Sequence, residues 1–85
     1  MPLYLIERNF AEQLDVSAAD AAQIRLVNDE IGVNWLFSFL SADKKKTYCL
    51  YEGPSVEAIR EAARRSNLPA DIVIEVSQLD PASLV

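Results

Sequence analysis

Histidine is absent from the 85 residues. That removes the commonest general base near neutral pH and the commonest side-chain metal ligand. It also excludes Ser-His-Asp and Cys-His catalytic sets. Cysteine occurs once, as Cys49, so no internal disulfide can form, and a reducing compartment is the expected setting. Basic residues are in the minority, 8 against 13 acidic ones for a net charge of −5, which argues against binding a phosphate backbone. No run approaches the ~20 apolar residues needed to span a bilayer. The apolar stretch Leu3 to Ile6 has neither the length nor the basic flank of a secretion signal. The expectation is a cytoplasmic protein with no nucleic-acid and no membrane partner.

What the chain does have is apolar character, 51% of its residues. A chain of this size forms one domain, expected over residues 1–80 with a C-terminal tail at 81–85, and buries only roughly 60–65% of the surface its unfolded form exposes. Without disulfides, a homodimer is the expected source of additional burial.

Six elements can be read along the chain. Leu3 to Arg8 is rich in β-formers and predicts a strand. Ser17 stands three residues before Asp20, a capping box with Asp in place of Glu, and Ala21, Ile24, Val27 and Ile31 follow at helical spacing. Gly32 suits the position just past the helix end. Val33 to Leu40 reads as a strand covered on both faces, Ser41 to Lys45 as a hairpin connection, and Thr47 to Glu52 as a third strand. Gly53-Pro54-Ser55 opens a second helix with Val56, Ile59 and Ala63 inward and Glu61 facing Arg64 and Arg65; Asn67-Leu68-Pro69 ends it. Asp71 to Ser77 is β-branched and gives the fourth strand.

The order β-α-β-β-α-β predicts an α+β, ferredoxin-like fold: a four-stranded antiparallel sheet with both helices on one face. The other face has no helix to cover it. An uncovered apolar sheet face reads as an interface or pocket, and two such sheets packed together would form a dimeric α/β barrel. On this reading Trp35, Phe37 and Phe39 face away from the helices, with Leu3, Leu5 and Glu7 beside them and Tyr4 and Ile6 inward. Alternation leaves open whether Thr47, Cys49 and Tyr51 or Tyr48, Leu50 and Glu52 share the open face.

The candidate site residues follow. Glu7, at the end of an apolar strand, is the most informative ionisable group: either an acid, base or ligand in an apolar cavity, or a strand-end carboxylate paired with Arg8 or a helix arginine. Glu52 reads as a cap of the second helix or a cross-sheet partner. Cys49 reads as a buried structural thiol, since no adjacent cation would depress its pKa. The expected ligand-binding set is Glu7, Trp35, Phe37, Phe39, Cys49 and Tyr51, with no catalytic and no metal-ligating residue assigned. Lys44-Lys45-Lys46 reads as a solvated hairpin tip. Thr47 to Glu52 lacks the ordered basic, glycine and aromatic positions of an RNA-recognition strand.

Pro2-x-Tyr4 with Ile6-Glu7-Arg8, the strand Trp35 to Phe39, Cys49 to Pro54, Ala58 to Arg65 and Leu68-Pro69-Ala70-Asp71 resemble a family of small bacterial nickel-binding ferredoxin-like proteins. The resemblance covers nearly the whole chain. It implies the ferredoxin-like fold, a dimer built through the sheets, and in some members a nickel ion held largely by histidine. Family members often carry histidine at the positions matching Phe37 and Ala62; this chain has none. Imidazole suits nickel, whereas carboxylate alone favours harder ions. The expectation is therefore no cofactor, with nickel implied only by the resemblance. The leading reading is a non-enzymatic dimeric binding module whose inter-sheet cavity takes a small apolar or aromatic ligand, or none at all. Two alternatives stand beside it: an α/β-barrel enzyme of monooxygenase or isomerase type with Glu7 as acid/base, and metal binding through Glu7, Cys49 and Glu52.

Overall fold

Local signals set the element boundaries in the computed structural model, which describes residues 1–84. Strand β1 runs Leu3–Asn9, helix α1 Ala18–Ile31, β2 Asn34–Leu40, β3 Lys46–Glu52, helix α2 Val56–Arg65 and β4 Ile72–Val76. The Ser17 capping box is complete: the Asp20 amide donates to the Ser17 hydroxyl, and the Ser17 amide donates back to the Asp20 carboxylate. At the other end Gly32 takes φ 87°, and its amide reaches the Asn28 carbonyl at 2.8 Å. Helix α2 is capped by Ser55, whose hydroxyl accepts from the Ala58 amide. It stops where Asn67 turns left-handed at φ 56° and the Leu68 amide bonds back to Ala63, with Asn tolerating a conformation that most side chains avoid. In the expected tail, Pro81–Leu84 forms a 3-10 turn, and Val85 lies outside the described residues.

The sheet order is β2-β3-β1-β4, with every neighbouring pair antiparallel. This is the ferredoxin-like α+β architecture. Residues Tyr4, Ile6, Val33, Cys49, Tyr51, Ile59 and Ala62 form the main core cluster. Ile24 and Val27 bury the inner stripe of α1, joined by Asn28, a polar residue the periodicity did not single out. Arg64 pairs with Glu61, but Arg65 reaches across to Glu30 of α1 rather than to Glu61, so one of the two expected pairs ties the helices together instead.

Strand β2 is not covered on both faces as its composition predicts. It is an edge strand, and Leu36, Phe37, Phe39 and Leu40 are all substantially exposed. Its apolar character belongs to a surface, not to a buried centre.

Gly53 lies where the β3–α2 connection presses on the core. A Cβ there would stand 2.9 Å from Val33 Cγ1 and 3.1 Å from Ile59 Cδ1, side chains that are almost wholly buried. Gly53→Ala is expected to destabilise the fold by about 1–3 kcal/mol through overpacking. The check is a thermal melt, in which an unchanged midpoint would contradict this packing.

Candidate functional site

Pairing register decides which residues share a face. Leu5 stands opposite Leu50 on β3 and Ile74 on β4, and Leu50 opposite Phe37 on β2. One row along, Glu7 stands opposite Tyr48 and Ile72, and Tyr48 opposite Phe39. These two rows, with Leu3 and Val76 beyond them, form the face that carries no helix. Phe37 and Phe39 meet edge to face at 5.6 Å. Phe37, Phe39, Ile72 and Ile74 are 51%, 64%, 43% and 48% exposed, which makes the patch continuous across all four strands. Glu7 sits within it and faces Lys46 Nζ at 4.0 Å, while Lys46 also lies over the Tyr48 ring. Arg8 cannot be the partner of Glu7, because alternation sends it to the opposite face.

Three members of the expected ligand-binding set lie on the helix side: Trp35, in place of the open face expected for it, and Cys49 and Tyr51, whose side alternation leaves open. Trp35 pairs with Tyr51, but Phe37 pairs with Leu50, so Leu36 is an extra residue, a β-bulge. The bulge reverses the alternation. Trp35 therefore stands on the helix side, stacked on Tyr51 at 6.3 Å with its indole N–H donating to the Ser38 hydroxyl at 2.7 Å. Cys49 and Tyr51 also face the helices, because they pair with the inward residues Ile6 and Tyr4. Both are buried, and Cys49 makes only a 3.5 Å contact with the Thr47 hydroxyl. The open face thus keeps Glu7, Phe37 and Phe39 of the expected ligand-binding set, holds Leu5 where the sequence places it, and gains Leu50, Ile72 and Ile74.

On the helix side, Trp35, Cys49 and Tyr51 line a cavity of about 150 Å³ that is partly open to solvent. Its apolar wall comes from Leu40 and from Phe10, Leu14 and Val16 of the β1–α1 connection. That connection is pinned by the hairpin: the Phe10 and Leu14 amides donate to the Lys45 and Lys44 carbonyls at 2.8 and 2.7 Å. The charged member is Arg8, which is 3% exposed. Its guanidinium donates to the Pro69 carbonyl and lies 5.8 Å from the centre of the Tyr51 ring. Among the described residues no carboxylate stands within ion-pair distance of it. Sequence reading missed Arg8 as a site residue. The signal was present: after Tyr4 and Ile6, it is the next inward position on β1.

Comparison with known proteins assigns the family. The profile described as "Nickel responsive protein SCO4226-like" matches residues 4–76. The chain belongs to this family. A solved relative, the crystal structure of SCO4226 from Streptomyces coelicolor A3(2), superposes with a TM-score of 0.71 over 92% of this chain and 99% of its own, at 20% identity. At that identity the likeness shows the fold. No protein of curated function matches the chain.

The donors present do not fit the nickel of the family's description. Among the described residues no three Cys, Asp or Glu side chains stand together. Of the three candidates, Glu7 faces Lys46 on the open side, Glu52 accepts from the Asn34 amide at 2.8 Å, and Cys49 is on the far side of the sheet. Phe37 lies on the open face and Ala62 is buried in α2, so neither position offers a metal ligand. Incubation with excess Ni²⁺ followed by desalting and elemental analysis is expected to leave well below one ion per chain. Stoichiometric retention would contradict this.

Burial raises the Tyr51 phenol above its ordinary value, partly opposed by the neighbouring Arg8 cation and by hydrogen bonding to Asn28. The folded state thus holds its proton longer than the unfolded chain does. Stability from this group is full below about pH 10 and is lost as pH rises from there through the raised folded value. Wild type should therefore lose thermal stability above about pH 10 more steeply than Tyr51→Phe. Tyr4, also raised by burial, is common to both proteins and cancels in the comparison. Parallel curves would contradict the assignment.

Proposed function

We propose that this protein is a non-catalytic cytoplasmic binding module that works as a homodimer closed through the open sheet faces, with a small apolar or aromatic ligand held between them. One observation carries the proposal: a continuous face of Phe37, Phe39, Leu5, Leu50, Ile72 and Ile74 has no helix of its own chain over it. Four strands spaced ~4.8 Å apart and up to seven residues long give a footprint of roughly 19 by 23 Å, on the order of 400 Å². Apolar patches of that size on soluble proteins mark interaction surfaces.

A second copy is the occupant that fits. The face carries two acids and one base: Glu7 is turned toward Lys46, and Glu52, opposite Leu3 at the end of the face, accepts from the Asn34 side-chain amide. Its central rows present no uncompensated charge to an identical surface, and Glu52 stands at the margin, so a two-fold contact centred on the Leu5 and Glu7 rows meets no like-charge penalty. A footprint of this size is below the ~800 Å² that each partner gives to a standard interface. Flanking residues must join it, and the segment after β4 offers exposed Leu79 and, in the Pro81–Leu84 turn, exposed Leu84. A groove of about 270 Å³ lined by Leu3, Phe37, Leu50 and Val76 lies within the same face, and supports a ligand space between the two sheets. The nickel of the family's description is not part of this proposal, since the donor set does not fit it.

The test is Phe39→Lys. Burying an aromatic ring is worth about 1.5–3 kcal/mol, and in a two-fold contact each substitution acts twice. The expected result is a dimer for wild type by light scattering at micromolar concentration, a monomer for the variant, and similar circular dichroism for both. A wild-type monomer, or a variant that dimerises equally well, would sink the proposal.

A further inference from the structure

The Arg8 cavity lies on the other side of the sheet from the proposed dimer face, and its chemistry is different. We infer that it is a binding site for a small monocarboxylic acid with an aromatic or branched apolar body, the carboxylate on Arg8 and the body against Phe10, Leu14, Val16 and Leu40.

Three observations carry this. First, a guanidinium that is 3% exposed has the Pro69 carbonyl as its hydrogen-bond acceptor and an aromatic ring beside it, but no counter-charge among the described residues. Taking a cation out of water is costly unless a partner offsets it. The planar fork of arginine matches a carboxylate in bidentate fashion. Second, the other polar groups of the wall are already engaged. Ser38 accepts from the Trp35 indole, Thr47 accepts from the Cys49 thiol, and the Tyr51 hydroxyl is hydrogen-bonded to Asn28 and to Arg8 itself, a neutral partner that leaves the cation uncompensated. Arg8 is thus the one charged group among the lining residues. Third, the space is about 150 Å³. An apolar cavity of about that size holds a benzene ring, so a ring or short branched chain fits and a long acyl chain does not. The apolar walls select against a fully hydrated anion such as phosphate.

Trp35 is the only tryptophan in the chain and lines this cavity, which makes its fluorescence a direct reporter. Wild-type protein is titrated with benzoate, benzyl alcohol and inorganic phosphate, and fluorescence is checked by calorimetry. Charge-assisted hydrogen bonds are worth about 1.5–3 kcal/mol, so benzoate should bind roughly 10- to 100-fold more tightly than benzyl alcohol, and phosphate should be the weakest. In Arg8→Met the benzoate preference should vanish while benzyl alcohol affinity stays. Leu14→Phe, which fills the cavity, should weaken both. In wild type the Arg8 Nε–Hε NMR resonance should shift with benzoate and not with benzyl alcohol, a readout that does not depend on a variant folding. The inference is overturned by equal affinities for benzoate and its alcohol, by phosphate binding as tightly as benzoate, or by a benzoate preference that survives in Arg8→Met. It is equally overturned if wild type shows no benzoate response up to about 10 mM, a concentration that detects even very weak sites.

Discussion

In strand β1 each successive side chain must leave on the opposite face of the sheet, and both surfaces of this protein depend on that alternation. Tyr4, Ile6 and Arg8 point to the helices; Leu3, Leu5 and Glu7 point away. Because β1 lies between β3 and β4, its register orders the neighbours as well. Cys49 and Tyr51 are drawn inward opposite Ile6 and Tyr4, and Leu50, Ile74 and Ile72 are placed outward opposite Leu5 and Glu7. A one-residue slip would exchange the two sets. It would put the Arg8 cation on the apolar face and the Glu7 carboxylate in the cavity.

The edge strand departs from this order once, and the departure matters. The extra residue at Leu36 lets a single strand supply aromatic rings to both surfaces: Trp35 to the cavity, Phe37 and Phe39 to the open face. Bulges are common at sheet edges, where they re-aim a side chain. Here the re-aimed side chain stacks on Tyr51, beside the buried guanidinium. The β1–α1 connection closes the same cavity because the lysine-rich hairpin holds it through backbone hydrogen bonds. The hairpin tip, which reads as mere solvated loop, therefore has a structural task in its carbonyls.

The fold was legible because its signals are local and agree with each other. The Ser17 box, Gly32, Ser55 and Asn67 punctuate the helices, and β-branched and aromatic residues mark the strands. Glu7, Phe37 and Phe39 could be placed on the open face for the same reason. Trp35 could not, since a bulge leaves no mark in an aromatic run that reads as simple alternation. The facing of β3 was undecidable from composition, because Thr47-Cys49-Tyr51 and Tyr48-Leu50-Glu52 are similarly apolar, and only pairing with β1 separates them. Arg8 was passed over because a cation at a strand end resembles a surface residue. Its burial depends on Pro69 and Tyr51, which are distant in sequence.

The family assignment comes with the fold, while the absence of histidine and of any cluster of three metal-ligating side chains among the described residues leaves the family's nickel without a fitting donor set in this chain. The claim on which the functional reading rests is that the uncovered face meets a second copy of itself. Isotope-filtered NOE spectroscopy on a mixture of labelled and unlabelled chains tests it at the residue level. Intermolecular contacts are expected from the Leu5, Leu50, Ile72 and Ile74 methyls to the Phe37 and Phe39 rings of the other copy. Intermolecular contacts confined to other surfaces, or none at millimolar concentration, would contradict it.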